Sequence, residues 1–255
     1  MSKLPENHKF LDLSDYGRPF GRQIAAWLVP TPLTPVHVTL GFALSGLLAI
    51  LSIFQQHYWA AVFFLILKSI LDAADGELAR LRKTPSYIGR YLDSVADIAI
   101  NLLLMYSIWQ VTDGSKWFFL LAFLGLQLQG TLYNYYYAIL KRRFQGDTTS
   151  RIFESTPPKA LAGERQGWVT FLFRLYQGCY GLFDRAIYAL DRKAPAAKHL
   201  PKWLMTAVST FGLGFQLLVI GLMLAFGLED FIFPFFIAYS GFIFVFIGIR
   251  RYINR

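Results

Sequence analysis

"ILDAADGELARLRKTPSYIGRYLDSVADIAIN", residues 70–101, places four aspartates, Asp72, Asp75, Asp93 and Asp97, in or beside stretches that otherwise read as membrane helix. An ionised carboxylate near hydrocarbon is costly, so each must face water, pair with a base or serve a purpose. For one aspartate a neutralising neighbour would be explanation enough. Four at these spacings are different. On a helix Asp72, Asp75, Gly76 and Ala79 share a face at i, i+3, i+4 and i+7, and Asp93 and Asp97 share another at i, i+4. Two neighbouring helices thus aim two carboxylates each at a common point. Their repulsion calls for a cation, and hard oxygen donors without His or Cys nearby point to Mg²⁺ or Mn²⁺ rather than zinc.

Working outward, 55% of the 255 residues are hydrophobic, 17% are aromatic and the mean hydropathy is +0.40, which excludes an ordinary soluble domain. The first apolar run follows "LPENHKFLDLSD" rather than a short basic leader with a small-residue cleavage site, so the start is expected to be retained. The single cysteine, Cys179, excludes an intramolecular disulfide framework and a cysteine-rich metal site. Six apolar runs are expected to cross a bilayer, at 36–55, 58–70, 91–111, 117–140, 204–226 and 231–249, the second being short unless its helix continues past Asp72. Six crossings put both termini on one side. Of the 25 Lys and Arg residues, all but Lys68 and Lys116 then fall on that same side, which the positive-inside rule makes cytoplasmic. The aspartates therefore belong at the cytoplasmic edge. The net charge of +9 reads as attraction to anionic head groups, with no nucleic-acid partner.

Two stretches do not fit a simple crossing. "GRPFGRQIAAWLVP" sets Phe20, Ile24, Trp27 and Leu28 on one stripe against Arg18 and Arg22, the pattern of a helix lying in the interface. Residues 168–190 are long enough to span, yet Thr170, Arg174, Gln177, Asp184 and Arg185 recur along one face, and a seventh crossing would export Arg250, Arg251 and Arg255. This stretch is read as interfacial. The expected organisation is an all-α polytopic membrane protein. Residues 1–35 form a cytoplasmic arm with an interfacial helix, and 36–255 form a six-helix membrane domain with 141–202 as a cytoplasmic or interfacial insertion.

A pair of hard cations roughly 3.5–4 Å apart is a common device for displacement at phosphorus. Gly76 and Gly89 remove side chains where a diphosphate or a partner helix must come close, and Arg80 offers a planar fork for phosphate oxygens. Helix packing is an equal explanation for either glycine alone. Together, Asp72, Asp75, Gly76, Ala79, Arg80, Gly89, Asp93 and Asp97 match D-x-x-D-G-x-x-A-R, eight residues, then G-x-x-x-D-x-x-x-D, with no exception. The chain thereby resembles the CDP-alcohol phosphotransferases, also called CDP-alcohol phosphatidyltransferases. The resemblance implies a six-helix membrane enzyme, usually a homodimer. It would move a substituted phosphoryl group from a CDP-alcohol to an acceptor hydroxyl, release CMP and require two Mg²⁺ or Mn²⁺ ions.

Carried over by position, the resemblance makes Asp72, Asp75 and Asp93 metal ligands. Asp97 becomes the general base, with a possible metal contact of its own. Gly76, Ala79, Arg80 and Gly89 would lie against the CDP moiety. "LTPVHVT" looks like the family's nucleotide-side entry, which brings in Thr34 and Thr39. Val36 stands where an asparagine is usual, so that contact is absent. Residues 141–202 are also longer than a minimal member needs.

Lys68, one turn before Asp72, either balances the aspartates, meets a substrate phosphate or snorkels to the interface. Asn101, one turn after Asp97, either orients the base or bonds a neighbouring helix. Gln127, Gln129 and Asn134 suggest a head-group cavity, with "YNYYY" as an aromatic belt. Two other classes fit less well. A membrane prenyltransferase carries its aspartate motifs in distant loops, and a cation carrier leaves Gly76, Ala79, Arg80 and Gly89 unexplained. Within the family, "GRYLDSVADIAIN" reads more like members that use CDP-diacylglycerol than like those that pair CDP-choline or CDP-ethanolamine with a diacylglycerol.

Overall fold

The computed structural model describes residues 4–144 and 154–255, and these form helices, turns and connecting segments with no strand among them. Part of the 141–202 insertion, residues 145–153, lies outside the described residues. The helices are α1 (Arg18–Leu28), α2 (Pro35–Phe54), α3 (Tyr58–Leu81), α4 (Tyr87–Val111), α5 (Lys116–Arg143), α6 (Gln166–Leu190), α7 (Lys202–Val208), α8 (Leu213–Ala225), α9 (Ile232–Tyr239) and α10 (Phe242–Ile253).

Among the described residues, three segments are long and apolar enough to cross a membrane, namely α2, α4 and 229–253, and the bent pair α7 and α8 would make a fourth. The helix α3 runs on through both aspartates to Leu81, so the short second run is completed by polar residues rather than ended by them. Its charges lower its mean hydropathy, as Gln127, Gln129 and Asn134 lower that of α5. Trp59 and Trp117, at the starts of α3 and α5, are largely exposed beside apolar neighbours.

One core gathers Phe42, Ile53, Leu65, Leu104, Ile108, Leu126, Ile220 and Phe236 from α2, α3, α4, α5, α8 and α9. A second joins the end of α5 to α7 and α10 through Leu132, Tyr136, Val208 and Ile247. Beside it Asp191 is fully buried, accepting from Arg250 Nε at 2.9 Å and from Tyr136 Oη at 2.7 Å. A buried charge needs such a partner set.

The amphipathic stretch near the N-terminus is helical, as α1. Gly21 and Ala25 lie against α3, and a Cβ on Gly21 would come within 2.9 Å of Ala74 N. Phe20 and Trp27 remain 65% exposed, as an interfacial stripe should. The turn from α1 to α2 is gathered by Arg82, whose guanidinium donates to the carbonyls of Leu28, Thr31 and Leu33 at 2.6 Å.

The fifth apolar run, 204–226, is not straight. It bends by 52° between 202–211 and 213–225. The N-terminal arm packs at this break: Ser14 occupies the space that a Cβ on Gly212 or Gly214 would need, and Leu13 N donates to Ser209 Oγ at 2.9 Å. Only glycine admits so close a backbone.

Candidate metal centre and cleft

The carboxylates are placed by two helices and the short loop between them. Ser86 caps α4, its Oγ accepting from Gly89 N at 2.8 Å, and fixes the rotation that turns Asp93 and Asp97 toward α3. Glu164, from the 141–202 segment, reinforces that end by accepting from Ile88 N and Ser86 Oγ. The insertion also contributes Glu154, buried and bonded to Arg90 and Tyr91.

One oxygen each of Asp72, Asp75 and Asp93 lies within 4.8 Å of the others, an arrangement that could hold a cation. Asp93 Oδ1 is buried without a hydrogen-bond partner, and Asp75 Oδ2 accepts from Thr39 Oγ1 at 2.9 Å. An orphaned carboxylate oxygen beside two more carboxylates fits a hard divalent ion.

Asp97 lines the same cleft but is not one of that trio. Its Oδ1 accepts from Lys68 Nζ at 2.5 Å, and Lys68, lying over the Phe42 ring, is fully buried. Lys68 therefore balances the cluster and does not snorkel.

The remaining expected residues are placed as follows. Arg80 pairs with Glu77 at 3.1 Å and lies beside Gly76, where a Cβ would come within 3.3 Å of Nη2. Ala79 is half-buried on the same helix. Gly89 packs on its own cap, Ser86. Thr34 is exposed, its Oγ1 2.7 Å from His37 Nδ1 at the start of α2, whereas Thr39 bonds Asp75 of the trio. Burial works against the charge on Arg18, but Asp15 and Glu77 outweigh it and hold its pKa above the usual value.

Asp72, Asp93 and Asp97 open onto a cleft of about 310 Å³ whose walls include Asn101, Gln127, Asn134 and Gln216. Gln129 instead donates to Phe236 O and Ser240 Oγ on α9. The tyrosines divide: Tyr133 and Tyr137 face the cleft, while Tyr135 and Tyr136 pack toward Asp191. Sequence reasoning missed Ser14 and Asp15 of the arm and Tyr176, Tyr180 and Asp184 of α6 as cleft walls. The polar face noted on α6 was the available signal. It splits, because Asp184 lines the cleft and Gln177 donates to Glu154 O, whereas Arg174 and Arg185 are exposed.

An all-helical membrane protein that gathers three carboxylates from adjacent helices at the wall of a polar cleft is the class defined by this fold and site. The family model described as CDP-alcohol phosphatidyltransferase matches residues 27–155, half of the chain, and the chain belongs to that family. It is 29% identical over 153 residues, 59% of its length, to a "Bifunctional IPC transferase and DIPP synthase" of Thermococcus kodakarensis. It is 41% identical over 64 residues, 25% of its length, to a "CDP-diacylglycerol--serine O-phosphatidyltransferase" of Bacillus subtilis. The matches span about a third of each of these curated relatives, 34% and 36%.

Proposed function

We propose that this chain transfers a substituted phosphoryl group from a CDP-alcohol, with CDP-diacylglycerol as donor, to an acceptor hydroxyl, releasing CMP. The observation that carries the reading is the convergence of Asp72, Asp75 and Asp93 at a cleft that Asp97, paired with Lys68, also lines. The printed name of the Bacillus relative supports the choice of donor.

In this reading Asp72, Asp75 and Asp93 hold Mg²⁺ or Mn²⁺. The bound ions supply charge stabilisation to the diphosphate and to the departing CMP. Asp97 takes the proton of the acceptor hydroxyl as its oxygen bonds to the phosphorus bearing the alcohol substituent. The bond from that phosphorus to the CMP oxygen breaks, and CMP leaves with the electron pair. Lys68 holds Asp97 turned to the cleft, and Thr39 orients Asp75. Arg80, Gly76, Ala79 and Gly89 form the nucleotide side together with Thr34 and Thr39. The chain works as a homodimer with the cleft facing the cytoplasm.

Purified protein in nanodiscs should release CMP from CDP-diacylglycerol only with an acceptor alcohol present. EDTA should abolish release and Mg²⁺ or Mn²⁺ should restore it. Full turnover in a chelated preparation would overturn the metal assignment, and failure to release CMP with any acceptor would overturn the activity.

A further inference from the structure

Asn101 and Gln127 carry buried polar atoms that the phosphoryl chemistry leaves unused. Both residues are 4% exposed and both line the cleft, yet Asn101 Oδ1 and Gln127 Nε2 have no hydrogen-bond partner. Folded proteins rarely retain such atoms without a use for them. The helices α4 and α5 are joined by the short 112–115 turn, and Asn101 lies ten residues before the end of α4 while Gln127 lies eleven after the start of α5. Asn101 is one turn deeper than Asp97.

Their neighbours are already committed. Thr131 Oγ1 donates to Gln127 O, and Gln216 Nε2 donates to Leu126 O and to Gln129 Oε1. Asn101 Oδ1 and Gln127 Nε2 thus offer an unpartnered acceptor and an unpartnered donor on residues that line the cleft. A hydroxyl, which donates and accepts at one oxygen, matches both. Asn101, Gln127, Thr131 and Gln216 are all uncharged. Asp93, Asp97 and Asp184 line the same cleft, so a carboxylate or phosphate placed among them would be desolvated beside like charge.

We propose that Asn101 and Gln127 seat a second hydroxyl of the acceptor, which makes the acceptor a small polyol without an anionic group. This rests on the transferase reading above. One helical turn separates the base from the seat, a rise of about 6 Å, which a polyol of a few carbons spans. A diacylglycerol has no second hydroxyl to offer.

The test is CMP release from CDP-diacylglycerol by the full chain in nanodiscs with Mn²⁺ and myo-inositol, glycerol, L-serine or glycerol 3-phosphate, beside CDP-choline with diacylglycerol. Release with myo-inositol or glycerol is expected. Asn101→Leu and Gln127→Leu should each raise the polyol KM about tenfold while calorimetric affinity for the CDP donor stays unchanged. Retained donor affinity reports a folded protein. Where a leucine variant does not fold, Asn101→Ser and Gln127→Ala carry the same expectation. Preference for L-serine, glycerol 3-phosphate or diacylglycerol, or an unchanged polyol KM in variants that bind donor, would overturn the seat alone. Absence of CMP release with every pair would overturn the transferase reading and the seat with it.

Discussion

Lys68 determines how the four aspartates share their work. From sequence it was legible as a cation on the aspartate side of α3, and the aspartates themselves were legible as a cluster. Its choice of Asp97 was not, because that pair crosses between helices and is settled by packing over Phe42. Asp97→Asn keeps shape but removes basicity, so turnover should fall by roughly 10²–10⁴-fold while calorimetry still detects donor binding. Asp75→Asn should weaken donor and metal binding along with turnover, with partial rescue at high Mn²⁺. Equal loss of donor affinity in both variants would leave the base role of Asp97 unsupported. Thr39 was legible through its place in the entry segment, but only the folded chain shows its hydroxyl on Asp75 rather than back in its own helix alone.

At the scale of elements, the long apolar runs declared α2 and α4 because unbroken hydrophobicity leaves little else for a chain to do. The break between α7 and α8 gave a weaker sign. Ser209, Thr210, Gly212 and Gly214 interrupt the apolar run there, but only the folded chain shows Ser14 seated against both glycines. The insertion was legible as helical but not as the cap of another helix. Glu164 carries that role, accepting two hydrogen bonds at the start of α4. Glu164→Ala should therefore cost about 1–2 kcal/mol, read as a lower midpoint of thermal unfolding in detergent, with α4 loosened first. An unchanged midpoint would show that Ser86 suffices as the cap.

For the whole molecule, charge distribution yields an orientation that packing alone cannot. On a Cys179→Ala background, a cysteine at Lys83 should be labelled from the cytoplasmic side of sealed cells or vesicles and one at Asp113 from the opposite side. The reverse pattern would invert the proposed topology. The position of the trio along α3 has a kinetic consequence. Trp59 marks one interface, and Asp72 lies thirteen residues along the helix from it, about 20 Å at helical rise, against a hydrocarbon thickness of about 30 Å. The proposed donor can then present its diphosphate without lifting its acyl chains from the leaflet, and the encounter becomes two-dimensional. Rate should follow the mole fraction of CDP-diacylglycerol in the surface rather than its bulk molarity. Mixed micelles diluted with inert detergent at constant total donor should slow turnover, while diluting the whole mixture with buffer, short of dissociating the micelles, should not.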